Sequence, residues 1–172
     1  MSAVDQQKKP QWIKDLPRSK MRYPTRLRDR AKYVFWRTYT PFHPLLRGTA
    51  RVLGVSTESF VDTHEGRQNF ALGHIAPGIS LQEFVHHLVS QGFANHFVAW
   101  KDSDEVVSLR RVDNFTHQYH IRIFADGEVR GHYEFTPECY PFSHLKAVGQ
   151  EHRPEEFANL FGNRVTLSSR PQ

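Results

Sequence analysis

Residues 118–134 read QYHIRIFADGEVRGHYE, two runs of alternating polar and apolar side chains on either side of one turn. Such alternation is typical of β-strands, and the sequence Ala125-Asp126-Gly127 favours a tight turn between them. Two connections compete here: a two-residue Asp-Gly turn, and a type I turn with Gly127 as a bulge residue. They differ by one residue in register, and a shift of one residue exchanges the two faces of a strand.

The bulged turn separates apolar from polar side chains on the two faces of this hairpin. On the apolar face it pairs Tyr119 with Tyr133, Ile121 with Gly131 and Ile123 with Val129. On the polar face it pairs Gln118 with Glu134, His120 with His132 and Arg122 with Arg130. The two-residue turn would mix both kinds of residue on each face, so we predict the bulged register.

A well-defined helix is predicted upstream of the hairpin, over residues 81–91. Ser80 is its N-cap, and Glu83, three residues later, completes a capping box. Gly92 supplies the left-handed residue that commonly follows a helix. The apolar stripe of this helix consists of Leu81, Phe84, Val85, Leu88 and Val89. We predict that the stripe packs on the apolar face of the hairpin, opposite the polar face.

The segments around this helix and hairpin predict an α+β fold. Four strands separated by short turns are predicted over residues 96–101, Glu105–Val112, His117–Phe124 and Glu128–Phe135. Such short connections require antiparallel neighbours, so these strands form a meander, to which residues 70–75 add an edge strand. A last helix is predicted to start at Pro154 and to end at Gly162. The predicted fold class is a four- to five-stranded antiparallel meander sheet backed by an amphipathic helix, with a basic N-terminal helical extension.

The charge of the chain is divided unevenly between its two parts. Residues 1–51 contain thirteen Lys and Arg residues and three acids, whereas residues 52–172 contain ten Lys and Arg residues and fifteen acids. We predict a basic, partly flexible N-terminal arm over residues 1–51, followed by a single α+β domain over residues 52–172. One helix of the arm follows Pro24, with apolar positions at 27, 31, 34, 35 and 38, and a second covers residues 46–53. A basic arm of this kind is typical of proteins that bind a polyanion.

The expected partner is nucleic acid or another polyanion, because Lys and Arg side chains neutralise phosphates. Aromatic residues such as Trp12, Tyr23 and Tyr33 are interleaved with the basic ones, which favours RNA or another single strand with unpaired bases. The predicted nucleic-acid contacts are Arg22, Arg26, Arg28, Arg30, Lys32 and Arg37 in the arm and Arg110, Arg122 and Arg130 on the polar sheet face. The composition also fits an alternative, a non-enzymatic assembly protein of an RNA-rich complex.

The polar sheet face is also the candidate catalytic site. RNA cleavage requires a base, an acid and cations beside the phosphate, and His120, His132 and Glu134 with the neighbouring arginines supply these groups. The catalytic alternative is therefore a metal-independent endoribonuclease. Two cross-strand histidines and a carboxylate can also hold Zn²⁺. The interpretation favoured from the sequence has no metal and no cofactor, and an ordinary solvated sheet face remains open as a further alternative.

Composition disfavours several other classes of protein. No apolar run approaches the roughly 20 residues of a membrane-spanning helix, so no membrane span is predicted. The lone Cys139 cannot form an internal disulfide, which fits a reducing compartment, and a cytoplasmic location is expected. The chain has no glycine loop of the phosphate-binding type, which disfavours a nucleotide-driven enzyme. The sequence leaves open whether the protein is an enzyme.

Overall fold

The computed structural model describes residues 10–39, 42, 70–96, 104–140 and 149–168. Within these ranges the chain forms four α-helices: α1 (Gln11–Lys14), α2 (Leu27–Tyr39), α3 (Leu81–Ser90) and α4 (Pro154–Phe161). The same ranges contain six strands: β1 (Ala71–Ile75), β2 (Ala94–Asn95), β3 (Glu105–Val112), β4 (His117–Phe124), β5 (Glu128–Phe135) and β6 (Val165–Leu167). None of the described helices is long and apolar enough to cross a membrane.

The six described strands form one antiparallel sheet in the order β2-β3-β4-β5-β1-β6. This arrangement confirms the predicted α+β class and the antiparallel sheet. The predicted number of strands is too low, because the short segment of β6 carries no strand pattern. The edge position predicted for residues 70–75 is wrong, because β1 lies between β5 and β6 and pairs with both. The strand predicted over residues 96–101 begins earlier, as β2, and residues 97–101 lie outside the described residues.

The central hairpin, β4–β5, has the bulged register. On the apolar face Ile123 is the partner of Val129. Gly127 has a φ of +86°, the left-handed conformation that the bulged turn requires. On the polar face the partners are Gln118 and Glu134, His120 and His132, and Arg122 and Arg130. The predicted register is confirmed, and it places the candidate site residues of both strands on one face of the sheet.

Helix α3 covers the apolar face of the sheet. It begins at the predicted N-cap, where Ser80 Oγ accepts a hydrogen bond from the backbone N–H of Glu83 at 3.1 Å. Its stripe buries Phe84, Val85 and Leu88 completely in the core. Full burial of one such side chain stabilises the fold by roughly 1.5–3 kcal/mol. The predicted packing of this helix is confirmed, and the polar face lies on the side of the sheet away from it.

Helix α4 completes the layer over the apolar face. Pro154 occupies its first turn and Gly162 is its C-cap, as predicted. Phe157 and Phe161 are fully buried, and the ring centroid of Phe161 lies 5.5 Å from that of Phe84. The two helices therefore share one aromatic contact above the sheet, which fixes their relative position.

The described N-terminal residues pack against the same core. Ile13 and Leu16 belong to the core cluster, and Trp36 of α2 is also buried. The carbonyl of Pro17 accepts a hydrogen bond from the backbone N–H of Asn95 at 2.8 Å, which joins this segment to β2. The boundary predicted after residue 51 and the helix predicted over residues 46–53 lie outside the described residues. The division into an arm and a domain therefore stays a prediction.

The apolar positions of α2 face away from the core. Leu27 is 82% exposed, and Val34 and Phe35 are about half exposed. Trp36, on the opposite side of the helix, is buried, the one such side chain between Leu27 and Thr38. The orientation of α2 is thus set by one tryptophan and by contacts of its polar residues.

Tyr133 gives this fold an expected dependence on alkaline pH. Burial, followed by the hydrogen bond from its hydroxyl to Asp113 Oδ2 at 2.9 Å, raises the pKa of Tyr133 to about 12. The folded state therefore holds this proton more tightly than the unfolded chain, whose tyrosine pKa is about 10. The contribution of Tyr133 to the free energy of unfolding is fully present below pH 10. It amounts to about 2–3 kcal/mol and is lost as the pH rises towards 12.

Urea denaturation at pH 9 and pH 11.5 measures this loss. Tyr133→Phe is expected to lose less stability between the two pH values than the wild-type protein, because it has no phenolic proton to release. Tyr140→Phe, at an exposed tyrosine, is the control and should behave like the wild type. An equal loss in Tyr133→Phe and in the wild type would contradict the prediction.

Candidate functional site

The polar face of the sheet is buried, although its side chains are charged or strongly polar. Less than one tenth of each of the following residues is exposed: Ser108, Arg110, Gln118, His120, Arg122, Arg130, His132 and Glu134. Buried charged groups persist in proteins when they are paired and hydrogen-bonded. The alternative of an ordinary solvated face is therefore wrong, and these side chains must be paired with one another or with other buried groups.

His120, His132 and Glu134 bring three potential metal-ligand atoms together near the centre of this face. His120 lies on β4, and the other two residues lie two positions apart on β5. His120 Nδ1 is 3.3 Å from His132 Nε2 and 3.4 Å from Glu134 Oε1. His132 Nε2 is 3.1 Å from Glu134 Oε2. The three catalytic residues predicted from the sequence thus form one compact cluster, which we call the His-Glu cluster.

Hydrogen bonds from outside the His-Glu cluster orient two of its members. Ser108 Oγ lies 2.9 Å from His120 Nε2. When His120 Nε2 carries the proton and donates a hydrogen bond to Ser108 Oγ, the lone pair of His120 Nδ1 is directed into the cluster. Gln118 Nε2 donates to Glu134 Oε1 at 2.8 Å, and Gln150 Nε2 lies 3.4 Å from Glu134 Oε2. The imidazole and the carboxylate are therefore held in place before any ligand binds.

Arg110 connects the His-Glu cluster to more distant parts of the chain. Its Nη1 and Nη2 donate to the two carboxylate oxygens of Glu138 at 3.0 and 2.7 Å, a bidentate pair. Nη1 also donates to Gln118 Oε1 at 3.0 Å, which turns the amide NH₂ of Gln118 towards Glu134. Its Nε donates to Ser19 Oγ at 2.6 Å. One buried guanidinium thus joins the N-terminal segment to the residue that orients Glu134.

The other two arginines of the polar face are also paired with carboxylates. Arg122 Nε donates to Glu105 Oε2 at 2.9 Å. Arg130 Nη2 donates to both oxygens of Glu128, at 2.6 and 2.7 Å. The predicted nucleic-acid contacts Arg110, Arg122 and Arg130 therefore lie buried in ion pairs inside the protein.

The predicted contacts of the N-terminal segment lie mainly on the surface. Residues 10–39 contain nine Lys and Arg residues, eight of them exposed: Lys14, Arg18, Lys20, Arg22, Arg26, Arg28, Arg30 and Arg37. Lys32 is partly buried, because its Nζ lies 3.5 Å from Cys139 Sγ and 4.3 Å from the ring centroid of Tyr140. Burial raises the pKa of the Cys139 thiol, and Lys32 acts in the opposite direction.

Sequence reasoning missed several residues around the His-Glu cluster. His96, which the sequence analysis does not place in the site, is 1% exposed, and its ring centroid lies 5.1 Å from that of His120. The available signal was its position directly after β2 and two residues after Ala94, which places both on the same side of the extended backbone. Glu138 follows β5 in a segment without periodicity, so no sequence pattern identifies it as the partner of Arg110.

Comparisons with known proteins are the remaining source of evidence on this site. Comparing the chain with protein-family models, with curated proteins and with solved structures finds no match in any of the three. The function is therefore inferred from the geometry and chemistry of the described residues.

Proposed function

We propose that His120, His132 and Glu134 bind a divalent transition metal ion, Zn²⁺ in the first instance, which activates water for hydrolysis of a small substrate. The observation that carries the proposal is the convergence of their ligand atoms: His120 Nδ1 lies 3.3 Å from His132 Nε2, and each of these nitrogens lies within 3.4 Å of one carboxylate oxygen of Glu134. In a tetrahedral site with metal–ligand bonds of about 2.0–2.1 Å, neighbouring ligand atoms are about 3.3–3.4 Å apart. The two imidazole nitrogens already have this spacing, and each has a Glu134 oxygen at a comparable distance.

The donor set fits catalytic metal chemistry. Two imidazoles and a carboxylate are a common ligand set of catalytic zinc and of non-haem iron, with further positions left for water or substrate. Zn²⁺ held in this way lowers the pKa of its bound water to near 7. The role of Ser108 and Gln118 is to orient His120 and Glu134, as outer-shell partners do in metal sites. Burial of the cluster favours a small substrate over a polymer such as RNA.

The metal content of the purified full-length protein tests this proposal. After incubation with Zn²⁺ or Fe²⁺ and removal of free metal, elemental mass spectrometry should find on the order of one equivalent of bound metal per protein chain. His132→Ala should retain less than about a tenth of that amount, because two ligands rarely hold such an ion. His74→Ala, at an exposed histidine of β1, is the matched control and should retain the wild-type amount.

Equal metal contents in His132→Ala and the wild type would contradict the metal centre. The metal-independent endoribonuclease makes a different prediction for the same cluster. Cleavage of a labelled RNA that persists after chelation and is lost in His132→Ala would favour that alternative.

We further propose that the exposed basic segment, residues 10–39, binds nucleic acid. The supporting observation is that eight of its nine Lys and Arg side chains are exposed, with two acids in the same segment. Exposed cations at this density neutralise phosphates without reading sequence. Tyr23, 56% exposed, offers a ring on which an unpaired base can stack, which favours RNA or another single strand.

The salt dependence of binding tests this second function. The plot of log K against log salt has a negative slope. Replacing Arg22, Arg26, Arg28 and Arg30 together by Gln should reduce the magnitude of this slope by up to about 0.7 per lost contact with a single strand. Fluorescence anisotropy with a labelled RNA oligonucleotide measures the slope. Arg153→Gln, an arginine outside the segment, is the control. A slope that is the same in the quadruple variant and the wild type would exclude the basic segment as the contact surface.

A further inference from the structure

The buried side chain of Arg130 is only partly satisfied. Its Nη2 donates to Glu128, but its Nε and Nη1 are buried and have no hydrogen-bond partner in the part of the chain that the structure describes. Since Nε carries one hydrogen and Nη1 carries two, three N–H donors lack an acceptor. Only 8% of the residue is exposed, so bulk water does not satisfy these donors. Buried donors in native proteins nearly always have a partner, so this group indicates a ligand.

These donors lie beside the His-Glu cluster. Arg130 precedes His132 by two residues on the same face of β5, and its partner on β4 is Arg122. The Cα atoms of residues two apart on a strand are about 6.5–7 Å apart, so the side chains of Arg130 and His132 leave the strand next to each other on this face. The guanidinium carbons of Arg122 and Arg130 lie 5.5 and 5.2 Å from the ring centroid of Phe124. Each of these guanidinium groups has a carboxylate partner, Glu105 or Glu128, and the N–H groups of Arg130 that Glu128 does not reach stay available to an anion.

We propose that Arg130 is the anion-binding residue of this site, and that the substrate is a small molecule carrying a phosphate or carboxylate group. Guanidinium N–H groups form short, charge-assisted hydrogen bonds with both kinds of oxyanion. The assignment of this anion to a substrate rests on the proposed metal centre. Anion binding by Nε and Nη1 of Arg130 does not itself require the metal, so the two proposals can be tested separately.

Calorimetric titration of the full-length protein with inorganic phosphate, and separately with acetate, tests the inference. Arg130→Met should weaken binding of the preferred anion by about tenfold or more, with the metal content unchanged. Because Glu128 loses its partner in this variant, Arg130→Met combined with Glu128→Gln provides a second variant without an unpaired carboxylate. Arg153→Met, at a partly exposed arginine paired with Glu151, should leave the affinity within about twofold.

The outcomes distinguish the two proposals. Anion binding that depends on Arg130 in a protein that holds no metal would support the anion site and overturn the metal centre. Normal metal content with the same anion affinity in the wild type and both Arg130 variants would overturn the anion site. Failure of the wild-type protein to bind either anion at millimolar concentration would also overturn it.

Discussion

Replacing Glu138 by Gln is expected to lower the free energy of unfolding by about 3–5 kcal/mol. Arg110 is 2% exposed, and it makes two of its hydrogen bonds, at 2.7 and 3.0 Å, to the Glu138 carboxylate. The substitution leaves a buried guanidinium without this counter-ion, while its other partners, Gln118 and Ser19, are neutral. Urea denaturation at pH 7 measures the difference, with an unchanged m-value as evidence of a comparable transition.

An exposed ion pair provides the matched control for Glu138→Gln. Arg153 Nη2 lies 2.6 Å from Glu151 Oε2, but these side chains are 31% and 55% exposed. Glu151→Gln should therefore change stability by less than about 1 kcal/mol. Arg110→Met combined with Glu138→Met should recover much of the loss, because neither charge then remains buried. Similar, small effects of both single variants would show that burial does not strengthen the Arg110–Glu138 pair.

Zn²⁺ at a thousand times its Kd is expected to stabilise the folded protein by about 4 kcal/mol. The stabilisation arises because the folded sheet holds His120, His132 and Glu134 together, whereas the unfolded chain does not. In a chain of this length each kcal/mol raises Tm by about 2–4 °C, so the expected rise is about 8–16 °C. Thermal denaturation followed by circular dichroism, with and without Zn²⁺, measures it.

Two variants show whether this stabilisation comes from the His-Glu cluster. His132→Ala should show no rise in Tm with Zn²⁺, because it lacks one ligand. Ser108→Ala keeps all three ligands but removes the hydrogen bond to His120 Nε2, so about 10–100 times more Zn²⁺ should be needed for the same rise. The same dependence on Zn²⁺ in His132→Ala and the wild type would place the ion elsewhere on the protein.

The central part of the fold could be predicted because local chemistry determines it. The Ala125-Asp126-Gly127 turn and clean segregation of side chains select one register, and that register places His120 opposite His132. Helix α3 was predictable for a similar reason, since its cap and its apolar stripe agree. In both cases residues close together in the sequence determine the local structure.

The remainder could not be predicted because it depends on contacts between distant segments. Arg110 looks like a surface residue until Glu138, Gln118 and Ser19 are known to surround it. The alternating pattern therefore could not exclude a solvated polar face, although the structure shows that this face is buried. The convergence of the ligand atoms of His120 and His132 could not be predicted for the same reason, because alternation reveals only that the two residues share a face.

The position of β1 in the sheet has a consequence for how the chain assembles during synthesis. Gly73 is paired with Val129 on one side and with Leu167 on the other, so both partners leave the ribosome long after it does. Until then β1 has two unpaired edges, the kind of exposed backbone that promotes association between chains. The hairpins β3–β4 and β4–β5 are local and can form first. Synthesis of β6 supplies the second partner of β1, closes β1 into the sheet and removes its exposed edge.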